Sequence, residues 1–267
     1  MSSPASIAEA FVSARRQARA LPDFPGELPD GLAGAYVVQD HAIGLWREEV
    51  VGWKVAAIHP DLRAGLGAPR LSGPVFQSGL VKVAPGRQAD VPVVRRGFIA
   101  VETEIGIVLG EDVSPREKPW EMADLPPLIQ SMRIAMEIAG SPLASINDIG
   151  PLAVVSDFGN NTAVAVGAEV TGWRDGVIGT LKTGMRIDGI VIGEGAATGP
   201  NGGPLDAFLF LINHLASRGR GFRKGDVISA GATTGIHKIA IGQVAEAFCE
   251  GSSPLTIRIT EKQPVPI

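Results

Sequence analysis

Phe98-Ile-Ala-Val-Glu-Thr-Glu-Ile-Gly-Ile-Val-Leu109 is the stretch on which the reading of this chain turns. Its apolar and β-branched residues read as a strand. Successive strand side chains point to opposite faces, so Glu102 and Glu104 share one face while Val101, Thr103 and Ile105 take the other. Glu137 interrupts a second such segment, Met132-Arg-Ile-Ala-Met-Glu-Ile138. Two carboxylates about 6–7 Å apart along one strand face repel each other unless a cation lies between them. Burying even one such ion is costly without a partner. A hard divalent cation ligated by three carboxylates resolves the conflict, and Mg²⁺ or Mn²⁺ suits all-oxygen ligation. The alternative, from the residues alone, is an exposed polar face on a half-buried sheet.

Outward from this pair, short segments divided by Gly and Pro read as strands at 51–57, 79–83, 162–166, 227–230, 242–248 and 255–259. Asp188-Gly189, between alternating apolar residues at 185–192, signals a two-residue hairpin. The first fifty residues read as helical. Ser6 is placed to cap a helix carrying Ile7, Phe11 and Ala14 on one side and ending near Ala20. A second helix is expected at 34–49, with Val38, His41, Ala42 and Leu45 at helical spacing. A late helix at 204–217 buries Leu205, Phe208, Leu209, Ile212 and Leu215. Many strands with few helices between them argue for an α+β fold with a curled, mixed β core.

The chain has 267 residues, 45% hydrophobic and 19% charged, which is ordinary for a globular protein with a substantial core. Net charge is −4, with no basic stripe, so nucleic acid is not expected as a partner. No apolar run reaches membrane-spanning length. A single cysteine, Cys249, excludes an intrachain disulfide and fits a reducing, cytoplasmic setting. Its neighbours make it a small buried hydrophobe rather than a nucleophile.

Gly193-Glu-Gly195-Ala-Ala-Thr-Gly199 lacks the spacing and context of a phosphate loop and reads as a flexible connector. No G-x-S-x-G supports serine hydrolysis. Four scattered histidines show no metal-ligand pairing. Lys54, in Val51-Gly-Trp-Lys-Val-Ala-Ala57, lies inside an apolar strand. It either snorkels outward or sits in a site that lowers its pKa. Asp157 and Asn161 fall in a turn-prone stretch, where such residues usually satisfy nearby backbone.

Taken together and in order, several segments resemble the 2-keto-4-pentenoate hydratase / 4-oxalocrotonate decarboxylase group of the fumarylacetoacetate hydrolase superfamily. They are Ala35-Tyr-Val-Val-Gln39, Val51-Gly-Trp-Lys54, Gly73-Pro-Val-Phe76, Ala100-Val-Glu-Thr-Glu-Ile105, Met136-Glu-Ile138, Val155-Ser-Asp157 with Asn161, Gly195-Ala-Ala197 and Gly225-Asp-Val-Ile-Ser-Ala-Gly231. The resemblance implies one catalytic domain over 1–267, with an N-terminal helical segment (1–50) and a mixed β-roll core (51–267) like the superfamily's C-terminal domain. By it, Glu102, Glu104 and Glu137 fall on metal-ligand positions, Lys54 and Asp157 on catalytic ones, and Asn161, Thr233 and Thr234 on substrate-lining ones. It implies Mg²⁺ or Mn²⁺, a small 2-oxo or 2-hydroxy-dienoic acid from aromatic catabolism, and a homo-oligomer, with a paralogous decarboxylase as a further partner.

The activity expected is a hydro-lyase adding water to a 2-hydroxy-2,4-dienoate to give a 4-hydroxy-2-oxo acid. The alternatives are a decarboxylase, for which Arg133 is the candidate distal cation, an acylpyruvate hydrolase using His59, and a weakly active ligand-binding or scaffold subunit. Two departures from the group motivate the last of these. Gly140 stands where many relatives have an aspartate, and no acid occurs near Gln77-Ser78.

Overall fold

The computed structural model describes residues 3–199 and 201–264. Helices α1 (Pro4–Arg16) and α2 (Leu32–Trp46) open the chain. Strand β1 (Val50–Ala57), helix α3 (Pro60–Leu66) and strands β2 (Arg70–Phe76), β3 (Leu80–Lys82) and β4 (Gln88–Val93) follow. The long strands β5 (Phe98–Leu109) and β6 (Ile129–Ser141) form the centre. Short helices α4 (Ile146–Ile149) and α5 (Pro151–Ser156) lead into β7 (Asn161–Glu169). The hairpin β8 (Lys182–Ile187) and β9 (Ile190–Ala196) precedes α6 (Pro204–Ser217), and β10 (Val227–Ser229), β11 (His237–Lys238), β12 (Val244–Cys249) and β13 (Leu255–Glu261) complete the chain.

Among the described residues these strands make two sheets. One runs β2-β1-β10-β5-β6-β7-β3 with β11 also on β5, and the other runs β4-β13-β12-β8-β9. β1–β10, β3–β7 and β4–β13 pair parallel and the other pairs antiparallel, so the core is mixed as expected. The odd-numbered face of β5 (Val101, Ile105, Ile107) packs with Met136, Ile134 and the second sheet's Ala245 and Ile257 in the main core. Thr103 lies on that face and donates from Oγ1 to the Gly184 carbonyl at 2.9 Å. The opposite face begins with Phe98 and Ala100, which pack under α1, α2 and α5. Its continuation along β5 carries Glu102 and Glu104.

The helices dock through specific polar contacts as well as apolar ones. Gln39 Nε2 donates to the carbonyls of Ser72 and Val155, each at 3.0 Å, and Tyr36 Oη accepts from Ser72 N–H at 3.0 Å. These contacts tie α2 to β2 and α5. The cap of α1 is Ser3, not Ser6: Ser6 N–H donates to Ser3 Oγ at 3.1 Å. The Asp188-Gly189 hairpin forms as read, with φ of 49° and 81°, the two left-handed residues that a tight hairpin of matching twist requires. The stretch read as a connector from Gly193 instead pairs as β9 through Ala196. A Cβ on Gly195 would lie 2.0 Å from the Thr233 carbonyl, so glycine here serves close backbone approach rather than flexibility. No helix among the described residues is long and apolar enough to cross a membrane.

Candidate metal centre and cavity

Strand register alone brings the key side chains together. Glu102 pairs with Glu137 across β5 and β6, and Glu104 pairs with Ala135. Residues opposite each other in an antiparallel pair share a face, so all three carboxylates emerge on one side. Ser229 on β10 stands opposite Gly106, and Lys54 on β1 stands opposite Ser229, which adds both to that same face. A carboxylate oxygen from each glutamate lies within 4.8 Å of the others. Glu104 and Glu137 are fully buried and Glu102 nearly so.

The electrostatics are unbalanced without a ligand. Lys54 Nζ forms an ion pair with Glu137 Oε1 at 3.1 Å and donates to Asn160 Oδ1 at 3.4 Å. Ser229 Oγ donates to Glu104 Oε2. Glu104 Oε1 and Glu137 Oε2 accept no hydrogen bond although both are buried. Three carboxylates and one ammonium carry two net negative charges, the amount one divalent cation neutralises. Burial, then Glu137, pushes Glu102 up to about 8, and the same causes hold Glu104 well above the ordinary range. Burial also raises Glu137, against the pull of Lys54. Buried oxygens with no donor, on side chains driven toward protonation, fit a hard cation supplied from outside the chain.

Lys54 departs from both sequence readings. It is 2% exposed, so it does not snorkel. Burial alone would depress its pKa, but Glu137, Glu102 and Glu104 together hold it above the usual lysine range. Its setting depends on a glycine pair. A Cβ on Gly73 would lie 2.0 Å from the Phe158 carbonyl, and Gly159, at φ 67°, lies against Gly73 and the Lys54 chain. The turn at 157–160 thereby lies flat over the sheet beside Lys54. Gly73→Ala is expected to destabilise the protein by about 1–3 kcal/mol through this overlap, read as a lower midpoint in urea.

The cluster opens on a cavity of about 970 Å³. Lys54, Glu102, Asn160 and Thr233 line it, with Ile58 and Leu71 among its apolar walls. Thr233 is held by its N–H and Oγ1, which donate to the Thr103 carbonyl at 2.8 and 2.9 Å. Thr234 Oγ1 lies 3.1 Å from His237 Nε2, and Thr234 does not line the cavity.

Asp157 and Asn161 do not face this cavity. Asp157 is fully buried against Arg15, with Nε to Oδ1 at 2.5 Å and Nη2 to Oδ2 at 2.9 Å, and Ser141 Oγ donates to Oδ2 at 2.6 Å. Asn161 Nδ2 donates to the Pro74 carbonyl at 2.9 Å. Asn160 is the asparagine that reaches the site. Arg133, the candidate distal cation, is spent on the Gly167 carbonyl at 2.7 Å and lies outside the cavity. His59 lines the cavity, but its side chain is 69% exposed, beside Asp61 at 3.6 Å. Cys249 is buried, its thiol pushed up to about 11 by burial, as befits a hydrophobe.

The two departures from the group also fall outside the site. By alternation Gly140 faces away from Glu137, and a Cβ there would lie 2.4 Å from Thr162 Oγ1. Gln77 and Ser78 form an exposed single turn, where Ser78 N–H donates to Glu48 Oε2 at 3.2 Å. Neither position can present a carboxylate to the cavity.

No family model matches the chain. It is 25% identical over 261 residues to a 2-keto-4-pentenoate hydratase of Burkholderia vietnamiensis, covering 96% of this chain and 97% of the relative. Its fold is that of 4-oxalocrotonate decarboxylase from Pseudomonas putida G7, a structure complexed with magnesium and adipate. That likeness has a TM-score of 0.78 at 21% identity over 96% of this chain and 97% of the other. Fumarylpyruvate hydrolase from Pseudomonas aeruginosa, in complex with Mn²⁺ and pyruvate, has a TM-score of 0.58 at 12% identity, covering 79% and 89%. The chain thus resembles the hydratase and decarboxylase group along nearly its whole length, and the α+β fold with a mixed, curled β core is as read.

Proposed function

We propose that this protein is a metal-dependent hydro-lyase that adds water to a 2-hydroxy-2,4-dienoate, giving a 4-hydroxy-2-oxo acid. The observation that carries the reading is the convergence of Glu102, Glu104 and Glu137, with two orphaned buried oxygens, beside Lys54 at a cavity of ligand size. Full-length similarity to a 2-keto-4-pentenoate hydratase supports it. Glu102, Glu104 and Glu137 would hold Mg²⁺ or Mn²⁺, the kind of ion named in the related structures. A divalent ion there supplies Lewis acidity toward a 1-carboxylate and 2-oxygen.

The chain's own residues account for the rest. Lys54, with Nζ 3.1 Å from Glu137 at the cavity, is placed to relay a proton in the dienol-to-ketone conversion that precedes hydration: the 2-hydroxyl gives up one proton and the terminal carbon gains one, so the ammonium that donates is restored. Asn160 fixes that ammonium through its Oδ1 and is itself held by Nδ2–H donation to Asn147 Oδ1 at 2.8 Å. The apolar walls at Ile58 and Leu71 keep bulk water from the conjugated tail. Thr233, fixed to β5, adds a polar group to the cavity lining. In this reading Asp157 has no part, its carboxylate being bound to Arg15 and Ser141.

A homo-oligomer fits the surface. Ile190, Val191 and Ile192 stand 68%, 47% and 39% exposed on β9, an edge strand of the second sheet. An apolar sheet edge of this kind is suited to a second copy.

The test supplies purified protein with 2-hydroxypenta-2,4-dienoate and Mg²⁺ or Mn²⁺. Loss of the dienol's ultraviolet absorbance is expected, abolished by exhaustive chelation and restored by metal. The ion should also raise the melting temperature, since a ligand at a hundred times its Kd adds about 2.7 kcal/mol. Turnover that survives chelation overturns the reading.

A further inference from the structure

A chain of polar contacts leads away from the carboxylate cluster, and the chemistry of each member fixes the orientation of the next. Glu137 pairs with Lys54, whose Nζ lies 3.4 Å from Asn160 Oδ1. An ammonium only donates, so Asn160 turns its oxygen to Lys54 and its Nδ2 away. That Nδ2 donates to Asn147 Oδ1 at 2.8 Å. Asn147 is oriented in its turn: its oxygen faces Asn160, and the group left over is its own Nδ2, a donor. Among the described residues no acceptor meets that Nδ2, and it is not buried. Asn147 lines the cavity, so the free donor belongs to the cavity surface.

The fold holds this amide in place. Helix α4 is a single turn anchored by Ile146, which is fully buried, and Asn147 follows it. Asn160 has φ 51°, a left-handed conformation that asparagine tolerates better than most residues. Exposure rises along the chain, from 0% at Glu137 to 2% at Lys54 and 5% at Asn160, and Asn147 is half-buried. The chain thus runs from the closed end of the site toward the open cavity. Asn201 makes the contrast. It also lines the cavity with its Oδ1 occupied, by Arg63, but it is exposed, and its contacts lead to Arg63 and Arg70 rather than to Lys54.

The reaction indicates what such a donor would meet. Hydration breaks one O–H bond of water, joins the hydroxyl to C4 and places the hydrogen on C3, with nothing oxidised or reduced. With the 2-oxo acid end at the carboxylate cluster, C4 lies two bonds beyond C2, toward the open side. We propose that Asn147, aligned by Asn160, donates from Nδ2 to the oxygen at C4, holding the incoming water and the hydroxyl it becomes. This rests on the reading of the cluster as the site for the 2-oxo acid end.

Calorimetry on Mg²⁺-loaded protein compares 4-hydroxy-2-oxopentanoate with 2-oxopentanoate, which differ only in the C4 hydroxyl. Wild type is expected to bind the hydroxylated acid about 3- to 10-fold more tightly, the net worth of one hydrogen bond. Asn147→Asp keeps an oxygen for Asn160 and removes the donor, whereas Asn147→Leu removes both. Each should bring the ratio to one or below. In turnover of 2-hydroxypenta-2,4-dienoate, Asn147→Leu should lose about tenfold in kcat with KM little changed, because the contact forms only as oxygen reaches C4. A variant that keeps the wild-type binding ratio, or an Asn147→Leu protein with unchanged kcat, overturns the proposal. Should a variant fail to fold, equal binding of the two acids by wild type is sufficient to reject it.

This inference and the enzymatic one fail separately. A preference for the hydroxylated acid that Asn147→Asp erases, without turnover of the dienol, leaves the Asn147 contact standing and removes the hydro-lyase. Turnover with equal binding of the two acids does the reverse.

Discussion

Glu104→Gln is expected to cut turnover by about a thousandfold or more while raising the melting temperature of the metal-free protein at pH 8. The loss follows from the chemistry: Lewis-acid stabilisation is worth several kcal/mol, and each about 1.4 kcal/mol is tenfold in rate. The substitution keeps volume and keeps an oxygen for the Ser229 hydroxyl, so packing is preserved. The gain in stability has a different origin. Glu104 is fully buried, one oxygen lacks any donor, and Glu137 and Glu102 both repel its charge. A neutral amide removes that repulsion.

The pH dependence follows with a definite sign. A carboxyl with a raised native pKa binds more protons folded than unfolded. Its stabilising contribution is full below the unfolded value and is lost as pH rises through the native one. For Glu102 that window runs from 4.5 to about 8. Metal-free wild type should therefore lose stability across this range, and Glu104→Gln should lose less, because one of the repelling charges has gone. Scanning calorimetry at pH 5 and pH 8, on chelated protein, measures both. A variant that melts below wild type at pH 8, or that keeps ordinary turnover with metal, removes the metal centre from the account.

The carboxylate trio was legible because a period of two is a local property. Glu-x-Glu in an apolar strand needs only the neighbouring residues to be recognised, and the same holds for the Asp188-Gly189 hairpin. What joins Glu102 to Glu137 is the β5–β6 register, a non-local quantity that no short window carries. Lys54 was recognisable as an anomaly but not as a pair member, since Glu137 lies 83 positions away in sequence and meets it only once β10 inserts between β1 and β5. Strand β2 went unread for another reason. Strand β2 contains Gly73 and Pro74, which weaken a strand reading, although the fold uses the glycine to admit the turn at 157–160. The neighbours Asn160 and Asn161 show the resolution limit of sequence reasoning. The chain bends between them, where Asn160 has φ 51° and Asn161 begins β7, so adjacent identical residues part company. Ser229 offered a faint signal, a hydroxyl within an apolar strand, but its partner Glu104 is again remote.

Asp157 raises the same issue in its sharpest form, and Asp157→Ala is expected to cost about 3–5 kcal/mol of stability. Arg15 arrives from the last turn of α1, 142 positions earlier, and makes five hydrogen bonds in a buried setting. Two go to the Asp157 carboxylate, and the others to the carbonyls of Gly140, Asn161 and Asp157 itself. Ser141 Oγ completes the carboxylate's shell. One guanidinium thus fastens the first helix to the ends of β6 and β7 and to the turn that presents Asn160. Removing the carboxylate leaves Arg15 charged and buried with carbonyls alone, which is the costly case for an ion pair. Arg15→Met should cost a similar amount, and the Arg15→Met, Asp157→Ala double variant markedly less than the sum, because neither charge is then stranded. Urea denaturation of the four proteins at fixed metal concentration gives the coupling directly. A proton-transfer role for Asp157 would appear differently. Asp157→Ala would lose kcat at a temperature where its fold is intact, while Arg15→Met kept it, and additive stability losses would accompany that split. The geometry predicts the opposite pattern, in which both variants fall together because they break one buried contact.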